Sequence, residues 1–120
     1  MKYSLLTAGS LLALALCAAS PAFAHAKLIR SNPSAGAMVM APKSIRLTFN
    51  EKLSSAFSGL DVGMGNGMIV PVKSAISADG KTIIGTPQGP LMSGSYKLKW
   101  HAVATDDGHR TDGTLAFKVK

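Results

Sequence analysis

Along most of this chain apolar and polar residues alternate in short runs, the signature of strands with one buried face. In residues 44–50, Ile45, Leu47 and Phe49 fall on one side and Arg46 and Thr48 on the other. In residues 95–103, Tyr96, Leu98, Trp100 and Ala102 oppose Lys97, Lys99 and His101, and residues 114–120 place Leu115, Phe117 and Val119 inward. Leu60, Val62 and Met64 alternate up to Gly65-Asn66-Gly67, and Met68, Val70 and Val72 alternate after it. That pattern predicts a hairpin with Asn66-Gly67 as its two-residue turn. A second hairpin is expected at Asp79-Gly80, between runs at 72–77 and 82–86, and a short first strand over 27–31 ends in the turn residues Asn32-Pro33-Ser34-Ala35-Gly36. Seven or so short strands without a helical period predict an all-β sandwich or Greek-key barrel.

The first 24 residues do not follow this pattern. A basic start at Lys2, an apolar run over 5–19 and the small-x-small sequence Ala22-Phe23-Ala24 read as a secretory signal peptide cleaved after Ala24. The run is short for a membrane span of about 20 residues and stops at Ser20-Pro21. Leu16 before Cys17 is too bulky for a lipoprotein cleavage site. The mature chain is then expected to be a single domain over 25–120, exported to the periplasm.

Cleavage removes the chain's one cysteine, Cys17, which excludes a disulfide scaffold and thiolate metal ligation in the mature domain. The full chain carries 13 Lys and Arg against 6 Asp and Glu, for a net charge of +7. The basic residues are scattered singly and aromatic residues are few, so nucleic acid is not the expected partner.

Chemistry concentrates in residues 105–113, Thr-Asp-Asp-Gly-His-Arg-Thr-Asp-Gly, with three carboxylates and an imidazole in one short segment. Asp107 and His109 sit two apart, so an extended backbone points both side chains one way, toward one ion. A further imidazole must come from His25 or His101. Strand parity puts His101 among lysines, facing solvent, which favours His25. Cleavage would make His25 the first residue, offering its imidazole and a free α-amine whose reference pKa is about 7.7 to 8.0. His25, Asp107 and His109 together supply three nitrogens and a carboxylate, a mixed N,O set suited to Cu(II). One Cu(II) per chain is expected. Glu51 follows the parity of the apolar face at the end of its strand, leaning toward one end of the core. Met64 and Met68 share the apolar parity of their strands and are expected to pack in the core, so Cu(I) binding there is not expected.

His25-Ala26-Lys27-Leu28, Asn32-Pro33, residues 47–51 (Leu-Thr-Phe-Asn-Glu), Phe57-Ser58-Gly59, residues 96–103, Asp107-Gly108-His109 and the run 113–119 together closely resemble the CopC family of periplasmic copper-binding proteins. The resemblance covers essentially all of 25–120. It implies a seven-stranded Greek-key β-barrel of immunoglobulin-like, cupredoxin-like topology. It also implies Cu(II) held by the N-terminal histidine, by the aspartate and histidine of the D-x-H element, and in some members by a nearby glutamate. These roles fall on His25, Asp107, His109 and Glu51, and the D-x-H spacing selects Asp107 over Asp106. The chain departs from members that carry a methionine-rich loop with a histidine, since only Met64 and Met68 flank its tight turn. A copper-import membrane protein of the CopD type is the partner implied, in copper homeostasis, resistance or delivery.

A competing function is a copper oxygenase, because lytic polysaccharide monooxygenases also hold copper with an N-terminal histidine. Such an enzyme needs an open coordination position and a polysaccharide-gripping surface. Asp107 would fill the position, and the sequence shows no aromatic row, so a binding protein rather than an enzyme is expected. A metal-free adhesion sandwich is the third class.

Overall fold

The structure, a computed structural model, describes residues 25–120; the expected leader over 1–24 lies outside them. The described residues contain nine strands and no helix. Seven have five residues or more: β1 (Leu28–Asn32), β3 (Ile45–Phe49), β4 (Gly59–Met64), β6 (Val72–Ile76), β7 (Thr82–Pro87), β8 (Gly94–Val103) and β9 (Arg110–Val119). Two are two-residue strands, β2 (Met38–Val39) and β5 (Ile69–Val70). They form two sheets, ordered β1-β3-β7-β6 and β2-β9-β8-β4-β5. The expected all-β fold is the fold observed.

The alternation read from the sequence is the alternation that packs. Ile45, Leu47 and Phe49 of β3 are fully buried, as are Leu98 and Ala102 of β8, and Ile83, Val62 and Phe117 join them between the sheets. Each such large side chain contributes about 1.5 to 3 kcal/mol by leaving water. Tyr96 stacks on Phe117 with centroids 5.4 Å apart, and its buried hydroxyl donates to the Met92 carbonyl. Trp100 is half-buried, edge-on to Phe49 at 5.0 Å. Its indole lies where any side chain on Gly113 would have to be, so the glycine in β9 is what admits the ring.

Three sequence expectations need correction. The Asn66-Gly67 turn is a three-residue loop: the Met64 and Met68 backbones pair across it (Met64 N–H to Met68 C=O, 2.8 Å), and Gly67 adopts φ 89°. Positive φ at the last loop position is what glycine permits in such hairpins. The run after the turn is not one strand, because Pro71 lacks a donor and ends β5, and Val72 begins β6 in the other sheet. Met68 is consequently outside the core, 58% exposed, while Met64 packs against it.

The segment after β1 crosses between the sheets. Gly36 (φ 77°) donates its N–H to the Ala116 carbonyl at 2.7 Å, which brings β2 parallel to the end of β9. No periodicity announces a two-residue strand, so β2 was not legible. On the other side of the sandwich, Ser74 Oγ of β6 accepts from Leu60 N–H and donates to Leu60 C=O of β4, both at 3.2 Å. The longest pairing is β8 with β9, in register from Gly94↔Val119 to Val103↔Arg110. Its connecting loop, 104–109, is the segment in which the sequence concentrates its chemistry.

Candidate metal centre

The loop 104–109 is a tight turn rather than the extended segment that strand parity assumed. Gly108 N–H donates to Ala104 C=O at 3.0 Å and Ala104 N–H to His109 C=O at 3.2 Å, closing the turn on itself. Gly108 takes φ 69°, a left-handed conformation that glycine enters without steric cost. Asp107 then folds over the turn, its Oδ1 accepting the His109 N–H at 3.0 Å and its Oδ2 lying 3.7 Å from His109 Nδ1. Aspartate makes this side-chain turn readily because its carboxylate reaches the backbone two residues on. Asp107 and His109 therefore converge as expected, by a different route from the one expected.

The turn is held from beside it. Thr105 N–H donates to Lys52 C=O at 3.0 Å, Ser54 N–H to Val103 C=O at 2.8 Å, and Leu53 bridges to Ala104. The segment between β3 and β4 thus buttresses the loop, with Leu53 and Ala104 buried beneath it.

His25 is brought in by the residues that follow it. Ala26 is buried, 2% exposed, and its carbonyl accepts from Thr111 Oγ1 at 3.0 Å. Lys27 is clamped on both sides by Asn50: Lys27 N–H donates to Asn50 Oδ1 at 2.7 Å, and Asn50 N–H donates to Lys27 C=O at 3.1 Å. Burying one small side chain and tying two peptide groups fixes where the exposed residue before them stands. The His25 ring stacks on that of His109, centroids 4.9 Å apart and 16° from parallel. Asn50 and Thr111, which hold the two residues after His25, were not singled out from the sequence. A polar residue at a strand end and a threonine among charges carry no pattern that points to a distant backbone.

His25, Asp107 and His109 each bring one ligand atom to within 4.8 Å of the others, and all three residues are exposed. First-row metals bind nitrogen and oxygen at about 2.0 to 2.2 Å, so donors on opposite sides of one ion stand about 4 Å apart and adjacent donors about 3 Å. Since at most one pair of three donors can be opposite, closing the group on one ion takes movements of up to about 2 Å, within the reach of rotations about exposed side-chain bonds. The donors are of the right kinds for a divalent ion, an acid and two imidazoles.

Other candidates lie elsewhere. Glu51 is half-buried on the segment after β3 and is outside the three-residue group, as is Asp106. Asp112 is engaged by Arg110, whose Nε and terminal nitrogen reach Asp112 Oδ1 at 3.1 and 3.0 Å. That hydrogen-bonded pairing, assisted by the nearby His101, holds the Asp112 carboxyl below its ordinary range. His101 lies on the lysine face of β8, opposite Asp112, yet half-buried rather than fully exposed. It pairs with Gly59 across the ladder, and its imidazole lies against that residue, near Ser74. It is not among the residues whose donors converge with His25 and His109.

Residues 28–120 match the CopC domain. The chain is 43% identical to copper resistance protein C of Xanthomonas campestris pv. juglandis, over 98% of this chain and 96% of that one. Its fold superimposes on the crystal structure of PcoC, a methionine-rich copper resistance protein from Escherichia coli, with a TM-score of 0.73 and 39% identity, covering 81% of this chain and 100% of that one. The structure of CopC from Methylosinus trichosporium OB3b matches with a TM-score of 0.74 at 28% identity, over 80% and 94% of the two chains.

Proposed function

The chain belongs to the CopC family, and we propose on that basis that it is a copper-binding protein of the periplasm that holds one Cu(II) through His25, Asp107 and His109. The observation that carries this reading is the convergence of those three donors within 4.8 Å at one end of the sandwich. Cleavage after Ala24 completes the set, because the α-amine of His25 then joins its own imidazole in a chelate ring. Two imidazoles, an amine and a carboxylate make the tetragonal N,O environment that Cu(II) favours, and first-row affinities peak at copper.

The residues divide the work. His25 supplies two nitrogens, and its position is set by the Thr111 and Asn50 hydrogen bonds to the residues after it. Asp107 supplies negative charge, which stabilises Cu(II) over Cu(I), and orients the His109 backbone. His109 supplies the last nitrogen. Glu51, half-buried on the buttressing segment, is proposed as an auxiliary oxygen ligand at most. The site is exposed, which suits a protein that takes up and releases its cargo, and two of the relatives named above are copper resistance proteins. Delivery of the ion to a copper-import membrane protein of the CopD type is the corresponding proposal for its partner.

Titration of the protein beginning at His25 with Cu(II), against a competing chelator and with spectroscopic assignment of the nitrogen ligands, tests the reading. One equivalent bound, with nitrogen ligation lost in H109A, supports it. Failure to retain copper on dialysis against a weak chelator removes it.

A further inference from the structure

We propose that the outer face of the β1-β3-β7-β6 sheet carries a second, anion-binding site, built by Arg30 and Arg46 and selective for a phosphoryl oxyanion. The register sets its geometry. Arg30 faces Thr48 across the β1-β3 ladder and Asn32 faces Arg46, so these four side chains share one face, with the two arginines on a diagonal. Diagonal neighbours stand about 7 to 8 Å apart, close enough for two long guanidinium groups to grip one small ion between them. On the other side of β3, Thr48 faces Thr82 of β7.

These residues, with Ser31, line a recess of about 390 Å³. Its floor is polar. Thr48 Oγ1 and Thr82 Oγ1 lie 3.2 Å apart in a hydrogen bond, and Thr82 is 8% exposed. One hydroxyl proton is used in that bond, whereas the other remains for an acceptor placed above the floor. Among the described residues neither Arg30 nor Arg46 makes an ion pair, and no carboxylate lines the recess. Two like charges on neighbouring cross-strand positions repel when bare, and an anion between them removes the repulsion.

Guanidinium forks match the oxygens of phosphate and carboxylate alike. The donors here approach from three directions: a fork from β1, a fork from β3, and a hydroxyl from below with the Asn32 amide at the side. Three non-coplanar directions fit the oxygens of a tetrahedral phosphoryl group better than the two coplanar oxygens of a carboxylate. Free phosphate and the phosphodiester of an anionic lipid headgroup both present that chemistry. The recess is on a sheet face, whereas His25, Asp107 and His109 are in the loop end of the sandwich, so the inference does not depend on the copper reading.

The test is a titration of the metal-free protein with inorganic phosphate, following the Arg side-chain N–H resonances by NMR at constant ionic strength. Saturable shifts of Arg30 and Arg46, at least tenfold weaker with acetate, are expected. R46Q should lower the phosphate affinity at least tenfold with an otherwise unchanged spectrum, while K99Q, on the outer face of the other sheet, should not. A parallel arm uses phosphatidylglycerol vesicles in a phosphatidylcholine background. Binding to vesicles alone, abolished by R46Q and not by K99Q, supports the site with the headgroup as the source. Unsaturable shifts together with no vesicle binding, equal affinity for acetate, or equal losses in R46Q and K99Q would overturn the proposal in favour of a generally basic surface.

Discussion

The imidazoles of His25 and His109, from the two ends of the described domain, lie face to face with 4.9 Å between their centroids. His109 is set by a turn that Gly108 and Asp107 close, and His25 by hydrogen bonds that Thr111 and Asn50 make to the two residues after it.

Replacing His109 by Ala should weaken Cu(II) binding by at least a power of ten, about 1.4 kcal/mol or more, whereas H101A should leave it nearly unchanged. His109 is exposed, so the metal-free fold should lose no more than about 0.5 kcal/mol. Competition against a common chelator, with parallel thermal melts, reads both quantities. Equal losses of affinity in the two variants would mean that His101 reaches the ion as well and that its assignment to the lysine face is wrong.

One Gly added before His25 turns the α-amine into a peptide nitrogen, which ligates only after a much harder deprotonation. Affinity should fall at least tenfold, about 1.4 kcal/mol, with the melting temperature of the metal-free protein unchanged. Equal competition by the extended and authentic proteins would show that the amine takes no part.

Thr111→Val removes the hydrogen bond that holds the Ala26 carbonyl while keeping nearly the same volume. It should cost about 0.5 to 1.5 kcal/mol of stability. Copper affinity should drop several-fold, with the nitrogen ligands spectroscopically unchanged, since Thr111 positions His25 and touches no metal. A loss of one nitrogen from the spectrum would contradict that positioning role.

Asp79 caps the β6-β7 hairpin, accepting from Ser77 Oγ and from the Lys81 N–H, and the Ser77 hydroxyl bond is the main reason its carboxyl sits below the ordinary value of 3.8. A carboxyl lowered in the folded state stabilises the fold above its unfolded pKa and stops doing so as pH falls through the folded value. The melting difference between wild type and D79A should therefore be constant above about pH 5 and shrink below pH 3.8. A difference that persists unchanged to pH 2 would assign the effect to packing.

Gly113→Ala places a methyl group on the Trp100 indole. Displacing a ring that also packs edge-on to Phe49 should cost about 1 to 3 kcal/mol, and tryptophan fluorescence should shift with it. An unperturbed melt and spectrum would mean that the ring has room to move aside.

The sequence by itself determined the fold class and most of the strands, because period-two alternation in β3, β8 and β9 is a direct consequence of one face being buried. It also singled out Asp107 and His109, because two metal donors two residues apart are visible in one dimension, and His25 through the expected cleavage and the lysine-side parity of His101. Its errors share a cause. Met68 has the parity of a core residue, but a three-residue loop and Pro71 put it on the surface. His101 has the parity of a solvated one, but it lies against Gly59 across the ladder and is half-buried. Asp107 meets His109 through a turn with Gly108 at positive φ, where alternation does not apply. Asn50 and Thr111 hold His25 through hydrogen bonds to backbone groups far away in the chain, and a backbone acceptor carries no residue identity for a pattern to register. Only the tertiary structure, by pairing β1 with β3 and laying β9 beside the first residues, decided that two histidines at opposite ends of the domain would face each other.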